Sequence, residues 1–405
     1  MKKLGEIALG IVTSVGGFLE IGSVSTAIQA GAVFGYQLGW ASIVGGLCLI
    51  FLVEISGRMA AISKRTIIDA VRERFGFGFF LFVFAVMTLV SFLVLTAEIG
   101  GVCVALEFVT RIHFQWWAPL VGVATWLVLW RGTFKVIENS VSLLGLITLV
   151  FVVGAWQLHP HWIDVAHGII PSRPNNERAH YWFMAVNILG ASISPYLFYF
   201  YSSGAVEDKW NERHLGMNWI VSIFGMSFGS LISVAPLIIA AILLRPAGIR
   251  VEHYHQLPLI LSREYGSLGL ALFSAALAIA CFGAAIEIAL SMAYIAAQGL
   301  GWTWGENLTP RSAARFSSFY TVLLIAATLF AMTGIDPLKL TNFSMALSAA
   351  SLPVAILPFL VIMNDPYYVK DHTNGWFGNG VVLAITLLAS ALAVVSIPLE
   401  IFGGS

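Results

Sequence analysis

The chain has 405 residues, of which 59% are hydrophobic and only 10% are charged, and its formal net charge is zero. A soluble domain carries about 25% charged residues, so this chain has too few charges to solvate a globular surface, and most of its surface must face lipid. The neutral balance gives no sign of a nucleic-acid partner. Because the apolar runs are long and do not alternate with polar residues, we predict an all-α integral membrane protein and not a β-barrel.

A helix needs about 20 apolar residues to cross the hydrocarbon core, and eleven stretches are apolar enough to be spans. In chain order they cover residues 7–33, 38–62, 77–108, 117–131, 138–157, 181–203, 216–244, 265–298, 316–333, 339–363 and 378–402. The third and eighth exceed the membrane thickness and are expected to tilt or project. The connecting loops are too short to be domains, so we expect one transmembrane domain over residues 1–405.

The orientation follows from the positive charges in the loops. With the N-terminus inside, 14 of the 21 Lys and Arg residues lie on the cytoplasmic side. This asymmetry predicts a cytoplasmic N-terminus, and an odd number of spans then places the C-terminus outside. The expected location is the bacterial inner (plasma) membrane.

The first span is interrupted near mid-depth. It contains Gly16-Gly17 and then Glu20-Ile21-Gly22-Ser23, and glycine and serine weaken the helical hydrogen-bond ladder. An ionised carboxyl group at the bilayer centre costs roughly 2.5–3.5 kcal/mol on insertion scales, so buried acids there usually serve a function. Glu20 is therefore the first candidate for a site residue.

The sixth span is interrupted in the corresponding place, at residues 190–195, where Pro195 cannot donate a backbone hydrogen bond. Backbone groups freed at membrane depth are tolerated only where they line a cavity or face protein. Two interrupted segments in equivalent positions of two halves indicate a transporter site. The predicted repeats are residues 7–157 and 181–363, with 378–402 as an extra helix. The plainer reading is that glycine and proline are common in membrane helices.

Two more acids lie within predicted spans. Glu98 is midway along the third and Glu287 is in the eighth. Each could ligate a hard cation or carry a proton, or could be protonated and hydrogen-bonded to a neighbouring helix. The three cysteines, Cys48, Cys103 and Cys281, are expected to be small buried apolar side chains with none near the two breaks.

The stretches around both breaks carry further recognisable residues. Residues 17–36 are GFLEIGSVSTAIQAGAVFGY, and residues 188–203 are ILGASISPYLFYFYSS. Both resemble helices of the Nramp family of divalent-metal transporters, in which the first helix runs from Asp-Pro-Gly-Asn to Phe-Gly-Tyr and the sixth contains Ile-Leu-Gly-Ala followed by Met-Pro-His. The resemblance covers essentially the whole chain. It implies a LeuT-like 5+5 inverted repeat with broken helices 1 and 6, the fold shared with amino-acid and neurotransmitter symporters.

The chain departs from the family pattern at the positions that bind metal. Family members bind a transition-metal ion through the Asp and Asn of the first motif, the Met of the sixth helix and nearby backbone carbonyls. The aligned residues here are Glu20 for Asp, Ser23 for Asn, Ser194 for Met, Tyr196 for the following His, Leu95 for an acid of the third span, Glu287 for a small polar residue, and Met345, beside Ser344, for a glutamine of the tenth span. Without the thioether at position 194, the site loses the soft ligand that favours manganese and iron.

The resemblance implies a set of site residues. Those expected to bind substrate are Glu20, Ser23, Ala191, Ser194, Tyr196, Ser344 and Met345. A metal ion would be held by Glu20, Ser23, Ser194 and the carbonyl of Ala191. Glu98 and Glu287 are expected to relay protons or a coupling ion.

The leading functional hypothesis is a secondary transporter that imports a divalent cation, with Mg²⁺ favoured and Mn²⁺ possible, because an oxygen-rich site suits hard ions. One alternative keeps the fold but moves a non-metal solute or an organic cation with H⁺ or Na⁺. Another is a receptor or scaffold that transports nothing, in which buried acids at paired breaks would have no purpose.

Motifs of other function classes are missing from the sequence. It contains no His-Glu-x-x-His and no phosphate-cradling glycine loop, so we expect neither an enzyme nor a cofactor. The expected partners are a small ion or solute and the lipid bilayer. Neither a nucleic acid nor an obligate protein partner is indicated.

Overall fold

The computed structural model describes residues 20–131, 146–172, 177–305 and 308–403, and within these ranges it is helical with no β-strand. The helices are α1 Ile21–Phe34, α2 Gly39–Ser63, α3 Ile67–Phe75, α4 Phe77–Thr110, α5 Ala118–Arg131, α6 Leu149–Gln157, α7 Trp162–His167, α8 Arg178–Ser192, α9 Pro195–Glu207, α10 Leu215–Leu243, α11 Leu259–Leu300, α12 Ala314–Ala331, α13 Pro337–Ile362, α14 Pro366–Val369 and α15 Trp376–Gly403.

Each of the eleven predicted spans contains at least part of a described helix, and most predicted ends agree with the structure to within three residues. Within the described ranges, eight helical stretches have the length and hydropathy needed to cross a membrane, the first running from Ile21 to Ser63. Residues 7–19 of the first predicted span and 138–145 of the fifth lie outside the described residues.

The two spans predicted to be over-long behave differently. Helix α4 is continuous over 34 residues, about 51 Å at 1.5 Å per residue, which exceeds a hydrocarbon core of about 30 Å. Helix α11 covers 42 residues but is kinked at Gly266, where φ is 57° and ψ is −132°. Glycine adopts this conformation without the steric penalty of a Cβ atom. The kink separates a short segment of about two turns, residues 259–265, from the long segment that carries Glu287.

The sixth span is two helices, as predicted. Helix α8 ends at Ser192 and α9 begins at Pro195, with Ile193 at φ −112°, ψ 59° and Ser194 in an extended conformation. A proline disfavours the helical conformation in the residue before it, which agrees with the non-helical conformation of Ser194. Proline then suits the first position of the new helix, where its missing N–H is not needed.

Helix α1 lies inside the helical bundle, packed against α8 and α10, with α13 also in contact. Most of its residues are buried. Glu20, directly before it, is extended at φ −128°, ψ 167°, which agrees with the predicted interruption at this residue. The start of α1 and the junction of α8 with α9 are therefore placed together in the interior.

Candidate functional site

Glu20 is 1% exposed, and its carboxylate joins the start of α1 to the junction of α8 with α9. Ser194 donates its hydroxyl hydrogen to Oε1 over 3.2 Å, and Tyr196 donates its phenol hydrogen to Oε2, also over 3.2 Å. Both donors come from the α8–α9 junction, and each serves a different carboxylate oxygen. The three residues predicted at the centre of the site are thus in direct contact.

Ser23 and Ala191 lie next to this contact and make different hydrogen bonds. The Ser23 hydroxyl accepts from the Glu20 amide at 3.2 Å and donates to the Glu20 carbonyl at 2.9 Å, so it stabilises the first turn of α1. The Ala191 carbonyl lies 3.2 Å from the Ser194 hydroxyl. Because a serine hydroxyl has one hydrogen, Ser194 can donate either to Glu20 or to Ala191 at a given moment, but not to both.

Glu98 is fully buried on α4 and contacts the first amide of α1. The Ile21 amide lies 3.1 Å from its Oε1 and 3.3 Å from its Oε2. A carboxylate at a helix N-terminus is stabilised by unpaired amides and by the helix dipole. Glu98 therefore holds the start of α1 directly beside Glu20.

Cys281 corrects one expectation, since a cysteine does lie near the first break. Its buried thiol on α11 is hydrogen-bonded to Glu98 and lies close to the Ile21 amide. Gly101 makes room for this contact, because a Cβ atom there would come within 2.6 Å of the Cys281 sulfur and 2.9 Å of Ile21 Cδ1. The approach of α11 to α4 is a long-range feature, and no local pattern in the sequence indicates it.

Glu287 lies on the side of α11 that packs against the broken sixth span. It is half-buried and interacts electrostatically with Tyr196, as do Glu20 and Glu98. One turn later, the Ser291 hydroxyl donates to the Tyr196 carbonyl over 3.1 Å, which fixes α11 against the start of α9. Ser291 was not among the predicted residues, although its spacing of four from Glu287 puts both on one helix face.

The two residues predicted in the tenth span, Met345 and Ser344, have different surroundings. Met345 fills the space between α1 and α8: a Cβ on Gly22 would meet its sulfur at 2.5 Å, and a Cβ on Gly190 would meet its carbonyl oxygen at 2.2 Å. The Ser344 hydroxyl instead donates to the Thr341 carbonyl of its own helix over 2.9 Å. Met345 therefore lies beside the site, while the Ser344 hydroxyl bonds within α13.

The donor set consists of oxygen atoms around a single hydrogen-bonded carboxylate. In the part of the chain that the structure describes, no three His, Cys, Asp or Glu side chains converge in a group that could hold a metal ion. Any cation at Glu20 would rely on one carboxylate, hydroxyls, backbone carbonyls and water.

Comparisons with known proteins agree with this geometry. The family described as natural resistance-associated macrophage protein-like, Nramp, matches residues 10–398 of the chain. A protein of Klebsiella pneumoniae subsp. pneumoniae named divalent metal cation transporter MntH is 24% identical over 403 residues, covering 96% of this chain and 93% of the relative.

Solved structures show the same fold. The Eremococcus coleocola manganese transporter superposes with a TM-score of 0.79 at 19% identity, covering 96% of this chain and 85% of that one. MhsT in complex with L-phenylalanine superposes with a TM-score of 0.64 at 13% identity, covering 96% and 98%. The predicted LeuT-like inverted-repeat fold with an interrupted sixth helix is confirmed.

Proposed function

The chain belongs to the Nramp family, and we propose that it is a secondary transporter that imports a divalent cation across the bacterial inner membrane. The observation that carries the proposal is the buried Glu20 carboxylate, held by Ser194 and Tyr196 where the start of α1 meets the junction of α8 with α9. The name of the Klebsiella relative, a divalent metal cation transporter, supports a metal ion as cargo. The N-terminus is proposed to be cytoplasmic, as the loop charges predict.

Cation binding requires only a small rearrangement at Ser194. Its hydroxyl oxygen lies 3.2 Å from both the Glu20 carboxylate and the Ala191 carbonyl. If the hydroxyl hydrogen turns toward Ala191, an oxygen lone pair is free on the side of Glu20. Glu20 and Ser194 would then ligate the ion together, with Ser23 and the second lone pair of the Ala191 carbonyl nearby.

The ligand chemistry favours a hard ion. The hydrogen-bonded core of the site offers oxygen atoms, which suit Mg²⁺ better than soft metals, and Mg²⁺ keeps several of its waters because it dehydrates reluctantly. A single carboxylate is enough for an ion that retains part of its water shell. We therefore favour Mg²⁺ and place Mn²⁺ second.

We assign the two other acids, Glu98 and Glu287, to the coupling of cation transport with a proton or a second ion. Glu287, half-buried and close enough to Tyr196 to interact with it electrostatically, would supply a second negative charge when the ion is bound or carry a proton when it is not. Glu98 would respond to the same event, because it contacts the amide directly after Glu20. Any movement of α1 on cation binding must change this contact.

The same fold with a non-metal cargo is the second candidate. It is favoured by one observation, that no cluster of three potential metal-ligating His, Cys, Asp or Glu residues occurs in the described ranges. An organic cation would need only one carboxylate. Competition between Mg²⁺ and organic cations for uptake separates the two candidates.

The direct test is uptake by the purified protein in liposomes with an entrapped Mg²⁺- or Mn²⁺-sensitive dye. We expect concentration-dependent entry that Glu20→Gln abolishes, because the substitution removes the carboxylate that accepts hydrogen bonds from Ser194 and Tyr196. The matched control is Glu177→Gln. Glu177 lies before α8, outside the spans, and its pKa is lowered mainly by the hydrogen bond from Arg250. Uptake that survives Glu20→Gln, or no uptake of any divalent ion by the wild type, would refute the proposal.

A further inference from the structure

A second polar cluster lies on helices α1, α8 and α13, and in the described structure its unpaired atoms make no hydrogen bond with Glu20. It contains four side chains with buried polar atoms that have no hydrogen-bond partner in the described structure: Ser25 Oγ, Gln29 Oε1, both amide atoms of Asn187, and Asn342 Oδ1. Ser25 and Asn187 are completely buried. Buried polar groups are almost always hydrogen-bonded, so four such residues in adjoining helices indicate a place for a ligand.

Helices α1 and α8 run in opposite directions, which brings Ser25 and Asn187 to the same depth. At one end Glu20 accepts from Ser194, and at the other the Phe34 ring lies 5.3 Å from the Tyr181 ring. Between these ends, Gly22 and Gly190 both contact Met345. Ser25 follows Gly22 by three residues and Asn187 precedes Gly190 by three. Both are therefore displaced in the same direction, by about 4.5 Å along the helix axes.

Helices α8 and α13 run in the same direction, which places Asn342 at that depth too. Gly190 contacts Met345, and both helices begin beside the loop between α10 and α11, where Glu177 pairs with Arg250 and Asp336 lies 3.9 Å from His253. Asn342 precedes Met345 by three residues, so it shares a helix face with it. The three positions form one layer, a turn beyond Met345 and on the side away from Glu20.

Gln29 extends this layer toward the membrane surface. It follows Ser25 by four residues on the same face of α1, and its amide nitrogen donates to the Val251 carbonyl over 3.1 Å. Val251 lies in the loop between α10 and α11, on the side that the charge distribution predicts to be external. The cluster therefore lies between the external loop and Glu20, with the Met345 side chain separating the two.

The chemistry of the cluster selects a ligand that donates hydrogen bonds. It offers oxygen acceptors on all four side chains, its buried donors without a partner are the Asn187 amide and the Ser25 hydroxyl, and none of the four residues is a carboxylate. The water shell of a divalent cation presents only hydrogen atoms outward, and Mg²⁺ loses that shell reluctantly. Neutral oxygens can hold such an ion without removing its waters.

We propose that Ser25, Gln29, Asn187 and Asn342 form an outer station where a divalent cation is held with its water shell largely intact before it passes Met345 to reach Glu20. This inference rests on the proposed function, because it supplies the preceding step on the same path. The cation would then lose water ligands as it passes from the outer station to Glu20. The outer station also explains why these polar atoms remain unpaired inside the bundle.

The test uses full-length protein in liposomes, with Asn187→Leu and the matched control Thr88→Val. Thr88 also has a buried, unpaired hydroxyl, but it lies on α4, ten residues before Glu98. We expect Asn187→Leu to raise the external Mg²⁺ concentration for half-maximal uptake by about tenfold, the effect of losing a hydrogen bond to a charged ligand. Thr88→Val should leave it unchanged.

A metal complex that cannot lose its ligand shell tests the outer station directly. Hexaamminecobalt(III) presents N–H donors in place of water hydrogens and does not exchange its ligands, so it should bind the outer station and stop there. We expect it to inhibit Mg²⁺ uptake competitively in the wild type and to lose most of that effect in Asn187→Leu. The melting temperature of Asn187→Leu without divalent ions should not fall, because the substitution removes an unpaired buried amide.

The outcomes separate this inference from the proposed function. If the wild type takes up no divalent ion, the proposed function fails. If the wild type transports Mg²⁺ but Asn187→Leu matches Thr88→Val in half-saturation and in inhibition by hexaamminecobalt(III), the outer station is wrong and the site at Glu20 still stands.

Discussion

At the residue scale, the centre of the site was predictable because its signals are local. Glu20 is an acid within an apolar run, and Ser194 directly precedes a proline, so each residue marks its own interruption. The structure joins them through hydrogen bonds of 3.2 Å from Ser194 and from Tyr196. The surrounding contacts were not predictable: the Cys281 thiol on Glu98 and the Ser291 hydroxyl on the Tyr196 carbonyl both depend on where α11 packs.

Met345 tests whether sulfur takes part in substrate choice. Its thioether packs against Gly22, two residues after Glu20, so a soft ligand is present beside the site although position 194 is serine. In the present account Met345 is a movable apolar barrier, which a flexible methionine suits. We expect Met345→Leu, which conserves volume, to change Mg²⁺ uptake by less than about twofold, because hard ions do not use sulfur ligands.

The measurement for Met345→Leu is a pair of uptake curves, one for Mg²⁺ and one for Mn²⁺. An equal change in the uptake of both ions would agree with a packing role for Met345. A selective loss of Mn²⁺ uptake would show that the thioether is a ligand, and the assignment of an all-oxygen site would then have to be withdrawn.

At the element scale, proline alone does not decide where a membrane helix breaks. Pro236 lies inside the continuous α10, and Pro353 and Pro358 lie inside the continuous α13, while Pro195 begins a new helix. The difference is that Ser194 is non-helical, at φ −69° and ψ 116°, and its hydroxyl bonds to Glu20. Composition indicates that a break is possible, but a tertiary contact decides whether it forms. The kink at Gly266, which divides α11, was not predicted for the same reason.

The packing of α4 against α1 and α11 gives a prediction about stability. Gly101→Ala would place a Cβ atom 2.6 Å from the Cys281 sulfur, whereas at the adjacent Gly100 the nearest atom, Pro337 Cβ, is 3.5 Å away. Overpacking of a well-filled interior costs about 1–3 kcal/mol. We expect Gly101→Ala to lower the melting temperature and to impair uptake, because it pushes apart the residues that hold Glu98 at the start of α1.

Gly100→Ala is the matched control for that substitution and should melt like the wild type. Adding Cys281→Ala to Gly101→Ala removes the closest clash and should restore part of the melting temperature. Equal melting temperatures for the two single glycine variants would show that the contact between α4 and α11 is looser than described here.

At the scale of the whole molecule, the long apolar runs were enough to predict the class of fold, since the bilayer leaves few alternatives to a helical bundle. The path through that bundle could not be obtained from composition. It depends on α1 running antiparallel to α8 and on α8 running parallel to α13, which align Glu20 with Ser194 and bring Ser25, Asn187 and Asn342 to one depth. The proposed division into repeats, residues 7–157 and 181–363, accounts for these directions.

The central claim is that Glu20 binds a divalent cation, and calorimetric titration of the purified protein with Mg²⁺ and with Mn²⁺ tests it most directly. We predict that the wild type binds the ion and that Glu20→Gln weakens binding by at least about 100-fold, since even groups behind a metal ligand contribute 10- to 100-fold. Unchanged affinity in Glu20→Gln, or no heat of binding to the wild type at millimolar concentrations, would contradict the account.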